Sequence, residues 1–233
     1  MNHILDNAAS DIFPVVEPVQ KEKIIDWYAE VTQFLAWPVV FLIFIPFFKL
    51  QVNDRENLKK IKAPFIIISN HFSFYDSFLF RLILGLNTPH LPLRFMAVKK
   101  FNWRFLNILS FLKIVDLVYI LFGVFIITPG KGIKENLKKA KSIIESGANV
   151  VIYPEGKIVE DEDISPFKKG AAVLSRQMNV PILPISFRED DKNKFRRKIV
   201  VNVGQPISLD ADSSDDVNTE TLRETILSLY NRL

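Results

Sequence analysis

The sequence contains no cysteine. That excludes disulfide scaffolding, thiolate zinc sites and a cysteine nucleophile. Histidine is scarce as well, and three copies are too few for a histidine-rich metal site. One of them, His3, lies in an opening stretch of mixed, acidic composition. That stretch lacks the basic start of a cleavable signal peptide, so none is expected. Charge of one sign is barely in excess, 30 Lys plus Arg against 26 Asp plus Glu. A net charge of +4 suits contact with anionic lipid heads or a phosphorylated substrate. It is too small to argue for nucleic acid, and no basic run with aromatic spacing resembles a nucleic-acid module. There is no internal repeat and no low-complexity tract. The acidic stretch 210–216 reads as a solvated loop.

Apolar residues are in surplus. They make up 48% of the chain, with 20 Phe against 8 Gly, so some apolar surface faces something other than water. Residues 21–33 fit an amphipathic helix through Ile24, Ile25, Trp27, Tyr28 and Val31. Residues 34–50, FLAWPVVFLIFIPFFKL, are apolar except for Lys49. A spanning helix needs about 20 apolar residues, and Pro38 and Pro46 interrupt this shorter run. The expected form is a re-entrant helical pair dipping into one leaflet, with a kinked spanning helix and a buried core helix as the competing readings. Lys49, Arg55, Lys59, Lys60 and Lys62 follow closely and put the rest of the chain on the cytoplasmic face. The run KKFNWRF at 99–105 mixes cations and aromatics as a membrane-interface segment does, though a partner-protein surface has the same composition. The expected division is a membrane-associating segment at 1–50 and one folded domain at 51–233.

The rest of the chain alternates strands and helices. Strands are expected at 64–69, 93–98, 122–127, 148–153, 181–187 and 198–203. Helices are expected at 75–86, 102–116, 133–146, 167–178 and 218–233. Ile133, Leu137, Ala140 and Ile144 share one face of the third helix, which Gly147 closes. Strands separated by helices imply an α/β fold, a mixed and partly parallel sheet flanked by helices, with the N-terminal apolar segment attached.

In open α/β sheets, ligands gather at the carboxyl ends of parallel strands. Three such ends carry chemistry here. The strand at 64–69 runs into Asn70, His71, Ser73 and Asp76. The strand at 122–127 runs into Thr128-Pro129-Gly130-Lys131-Gly132, and that at 148–153 into Pro154-Glu155-Gly156-Lys157. A histidine just after an apolar strand is a natural proton acceptor near neutrality. Asp76, five residues on, reaches it if His71 lies in the turn and Asp76 in the first helical turn, as in a catalytic dyad. The plainer reading is that Ser73-x-x-Asp76 only starts a helix, with Asp76 as a capping group. Glu155 is placed to bind hydroxyls or phosphate-bound water, or simply to turn the chain. The glycines around Lys131 form either a phosphate cradle or a flexible turn, and their spacing is not that of a P-loop. Phe167-Lys168-Lys169-Gly170 is a further basic spot, or solvated charge.

Asn70-His71-x-Ser73-x-x-Asp76 resembles the first block of the glycerolphosphate and lysophosphatidate acyltransferase family, with its His-x4-Asp. Tyr153-Pro154-Glu155-Gly156 is similar to that family's aromatic-Pro-Glu-Gly block, and residues 180–185 resemble its later Val-Pro strand. Residues 167–171 resemble the stretch between those two, and residues 123–127 the start of the second block. The blocks keep family order across residues 64–204. The resemblance implies an acyltransferase fold, an acyl-CoA or acyl-carrier-protein donor, a lipid-like acceptor, and no metal or cofactor beyond the donor. It gives His71 the role of base, Asp76 that of its partner, and Glu155 and Gly156 a place in acceptor binding. Two arginines expected for an acceptor phosphate are replaced, one by Pro129 and the other by the Lys157-Ile158 pair. Lys131, Lys157, Lys168 or Lys169 can supply their charge but not their bidentate fork. The missing forks count against glycerol 3-phosphate or lysophosphatidate as the acceptor and leave another lysolipid or a hydroxylated lipid as the alternative.

The mechanism implied is direct transfer, with Asn70 or amides near Gly156 serving the oxyanion. Ser73 as a covalent nucleophile is the alternative chemistry. Two other function classes compete: a membrane-bound lipid-binding protein without activity, and a lipid esterase or thioesterase.

Overall fold

The computed structural model describes residues 20–73, 75–85, 88–98, 114–159, 164–190 and 196–232. Helix α1 spans Gln20–Phe44 without a break, with Pro38 inside it. The expected re-entrant pair does not form. Pro38 lacks the N–H that the Phe34 carbonyl would accept, but both residues sit on the exposed side of the helix, where solvent can serve that carbonyl. Pro46 comes only after the helix has ended, and the chain then enters strand β1 (Phe48–Asn53). Residues 48–50, read from sequence as part of the apolar segment, therefore belong to an edge strand. The division expected at residue 50 falls inside it.

One narrow stripe of α1 is buried, formed by Asp26, Ala29, Gln33 and Val40. Asp26 pairs with the buried Arg94 and accepts a hydrogen bond from the Ser146 hydroxyl. The Gln33 amide donates to the carbonyls of Leu93 and Phe122 and accepts from the Leu93 N–H. The other flank is open, with Leu42 71%, Leu35 62% and Trp27 57% exposed. That exposure excludes the buried-core reading. Residues Ile25–Phe44 are long and apolar enough to cross a membrane.

The strands after β1 are β2 (Ile66–Ser69), β3 (Leu93–Val98), β4 (Val124–Ile127), β5 (Asn149–Ile152), β6 (Ile182–Asp190) and β7 (Arg197–Val203). They join in one sheet of order β1-β7-β6-β2-β5-β3-β4. Strands β2 to β6 are mutually parallel, whereas β7 runs antiparallel to β6 and β1 parallel to β7. The mixed, partly parallel sheet expected from sequence is therefore what forms.

Alternating side chains feed two cores. Ile67 and Val151 face one side, with Leu79, Phe80 and Ile83 of helix α2 (Asp76–Leu84). Ile66, Ile68, Val150 and Ile152 face the other. There they meet helices α4 (Gly132–Glu145), α5 (Gly170–Met178) and α6 (Asp215–Tyr230). Helix α3 (Ile114–Leu121) packs against α1. Most of the helix expected at 102–116, and all of the aromatic-basic run 99–105, lie outside the described residues.

Candidate active site

Because β2, β4, β5 and β6 are parallel, their carboxyl ends share one edge of the sheet. β2 ends at Ser69, and residues 70–73 leave the strand toward α2. Asn70 continues the strand in effect. Its amide donates to the Phe187 carbonyl and accepts from the Phe187 N–H, both at 2.8 Å. Asn70 is 4% exposed and its hydrogen-bonding groups are engaged with β6. It aligns the strand that delivers His71.

His71 Nδ1 lies 2.8 Å from Asp76 Oδ2. The same oxygen accepts the backbone N–H groups of Phe72 and Ser73, each at 3.0 Å. Asp76 thus holds both the loop and the imidazole, so the capping reading and the dyad reading describe one carboxylate. A carboxylate oxygen at Nδ1 fixes the tautomer with the proton on Nδ1 and leaves Nε2 as the acceptor. The imidazole keeps 20% of its surface, whereas the Asp76 side chain has none. Burial pushes the Asp76 carboxyl above its ordinary range, and the His71 hydrogen bond is the strongest opposing effect.

Glu155 also serves this loop. Its Oε1 accepts the His71 N–H at 3.0 Å, and its Oε2 accepts the Ser165 N–H at 3.0 Å. Only 5% exposed, it binds two loops together. Burial raises its carboxyl above the ordinary range, and the two amides pull it down. Gly156 takes the left-handed φ of 69° and donates its N–H to the Tyr153 carbonyl at 3.0 Å. That amide therefore closes the turn. A side chain at Gly156 would collide with Lys168, which lies across it.

The lysines separate by position. Lys168 sits against the Glu155-Gly156 turn and donates its own N–H to the Pro154 carbonyl at 2.8 Å. Lys157 is exposed beside it. Lys169 is paired with Asp216 at 2.7 Å. Lys131 caps α4 beyond the end of the edge strand β4, three strand spacings from β2, or roughly 14 Å. The structure does not bring Lys131 to His71. Ser73 remains half-exposed in the His71 loop.

Three features were not read from sequence. Tyr153 stacks on His71, with ring centroids 4.1 Å apart and 16° between planes. Its hydroxyl meets Ser77 Oγ at 3.1 Å. Arg197, at the start of β7, lies over Phe48 and over Tyr75, the neighbour of Asp76, and pairs with Glu189 at 3.0 Å. The position of Tyr153 at a strand end beside His71 was the one available signal. Arg197 becomes relevant only once β7 is known to reverse. Among the described residues, no three His, Asp or Glu converge as a metal site requires.

A family model described as Acyltransferase matches residues 49–188. The chain is 28% identical over 142 residues to a chloroplastic 1-acyl-sn-glycerol-3-phosphate acyltransferase of Brassica napus, covering 60% of this chain and 38% of that one. It is 32% identical over 142 residues to the human 1-acyl-sn-glycerol-3-phosphate acyltransferase beta, covering 60% and 46%. It therefore spans less than half the length of either relative. The solved 1-acyl-sn-glycerophosphate acyltransferase of Thermotoga maritima matches with a TM-score of 0.55 at 20% identity, covering 91% of this chain and 82% of that one. That likeness shows the fold.

Proposed function

Since the chain belongs to the acyltransferase family, we propose that it moves a fatty acyl group from an acyl thioester to the hydroxyl of a lysophospholipid. The relatives' names make 1-acylglycerol-3-phosphate the first acceptor to test. The donor is acyl-CoA or acyl carrier protein. The observation that carries the reading is the 2.8 Å bond between His71 Nδ1 and Asp76 Oδ2, which leaves Nε2 as a base at the rim of the sheet.

His71 Nε2 takes the proton of the acceptor hydroxyl, and Asp76 stabilises the imidazolium that forms. The acceptor oxygen attacks the thioester carbonyl and the tetrahedral intermediate collapses. The C–S bond breaks, and the leaving thiolate takes the proton back from His71. Lys157 and Lys168 stand beside the same turn and offer charge to a phosphate on either substrate. The exposed flank of α1 lies in the membrane interface, with the site on the cytoplasmic side. The lysines and arginine that follow α1 support that orientation.

The test is acyl transfer by the purified chain in detergent, with labelled acyl-CoA or acyl carrier protein and a panel of lysolipids and glycerol 3-phosphate. His71→Ala is expected to lower the rate at least ~10²-fold. Transfer indifferent to His71, or none from either donor, overturns the mechanism. Hydrolysis without transfer identifies an esterase instead.

A further inference from the structure

His71 is bonded to Asp76 through a single atom, Nδ1. That bond sets the tautomer, but one hydrogen bond tolerates rocking of the ring about the Cβ–Cγ bond, which moves Nε2. Tyr153 removes this freedom. Its ring lies flat against the imidazole at 4.1 Å and 16°. The tyrosine is fixed in turn from two sides. It stands at the end of β5, and its hydroxyl is bonded to Ser77 Oγ at 3.1 Å. Ser77 directly follows Asp76 on α2, so the tyrosine and the aspartate are anchored to the same helical turn. Phe80, one turn further along α2, approaches the tyrosine ring at 6.4 Å.

We propose that Tyr153 is a positioning residue, whose ring sets the plane of the His71 imidazole and whose hydroxyl, through Ser77, fixes that plane relative to Asp76. The proposal rests on the reading of His71 as the base. Burial, and then the nearby Asp76 carboxylate, push the phenol well above its ordinary range, so the hydroxyl keeps its proton. The stacked face is therefore a neutral ring, which packs against neutral imidazole and attracts the imidazolium formed during transfer.

The two functions of the side chain can be separated. Tyr153→Phe keeps the flat ring and loses only the bond to Ser77. Tyr153→Leu removes the stack, and Tyr153→Met fills the same space with a flexible chain should the leucine variant not fold. Kinetics of the full chain in detergent are expected to show kcat lowered about tenfold in Tyr153→Leu, the size of a lost stacked pair. KM should stay within about twofold, because substrate binding is not what is lost. Tyr153→Phe should recover most of the rate. A second readout does not depend on transfer. In NMR relaxation of labelled histidine, Asp76 should keep the proton on Nδ1 in both proteins, while the His71 ring should be rigid in the wild type and more mobile in Tyr153→Leu. Wild-type kcat in Tyr153→Leu, or a rate loss expressed wholly in KM, overturns the proposal. If the wild type transfers no acyl group, the function proposed above fails. The NMR comparison then decides the tyrosine's role alone, and a His71 ring as rigid in Tyr153→Leu as in the wild type overturns it.

Discussion

Asp76 gives one oxygen three hydrogen bonds, while its other oxygen, equally buried, finds none among the described residues. The carboxylate is thus placed for His71 at a cost in solvation, which is why its pKa is raised. Asp76→Asn separates these effects. An asparagine oxygen in the same place can still accept from the Phe72 and Ser73 amides and from His71 Nδ1, but it carries no charge to stabilise the imidazolium. Activity is expected to fall about 10²-fold or more with loss of that charge. Stability should move the other way. A carboxyl whose folded pKa lies above its unfolded value costs nothing below the unfolded pKa, near 3.8, and costs progressively more as pH rises through the folded pKa. Urea unfolding should therefore show the mutant gaining on the wild type as pH rises from 3.8, then a constant difference above the raised value. A difference that shrinks over that window would mean that His71 and the two amides outweigh burial. At this scale the sequence was informative about His71 and Asp76, because proton transfer restricts which residue types can serve. What the sequence did not show is that Asn70 and Glu155 bond backbone groups of Phe187, His71 and Ser165, segments distant along the chain.

Helix α1 shows what a pattern leaves open at the scale of an element. A stripe of small and polar residues is docked by Arg94, Leu93 and Phe122, and the remaining circumference is apolar and exposed. Such a surface matches an interfacial helix rather than a core one. Leu42 is 71% exposed, so changing it touches little of the fold. A leucine buried in lipid contributes about 1.5–3 kcal/mol, and each 1.4 kcal/mol is tenfold in affinity. Leu42→Lys is therefore expected to weaken co-sedimentation with anionic vesicles at least ~10-fold while leaving the unfolding midpoint unchanged. Unchanged sedimentation would remove α1 from the membrane contact. The prolines suggested two helices and one formed, because interior proline is tolerated where the unpaired carbonyl faces outward. β1 was missed for a related reason. Phe48 and Leu50 extend an apolar run, and only pairing with β7 distinguishes a strand from the end of a helix.

Across the whole molecule, α1 and the sheet do not separate at residue 50. Arg94 is 1% exposed, with Asp26 of α1 as its ion-pair partner, and Gln33 bonds the backbone where β3 begins. A chain starting at Phe48 takes the Asp26 carboxylate from Arg94 and the Gln33 amide from Leu93, so its unfolding midpoint in a thermal scan should fall clearly below that of the full chain. A cooperative transition near the full chain's midpoint would show instead that 51–233 is independent. By itself the sequence determined the alternation of strands and helices, the parallel centre of the sheet, and the residue types brought to its carboxyl edge. Each of these follows from local periodicity or from the chemistry a few side chains can perform. The tertiary structure alone decided that β7 and β1 reverse, that Lys131 is stranded at the far edge, that Glu155 fastens loops, and that Tyr153 lies against the base. These are relations between segments distant in sequence, and they exist only once the sheet has set the spacing and direction of its strands.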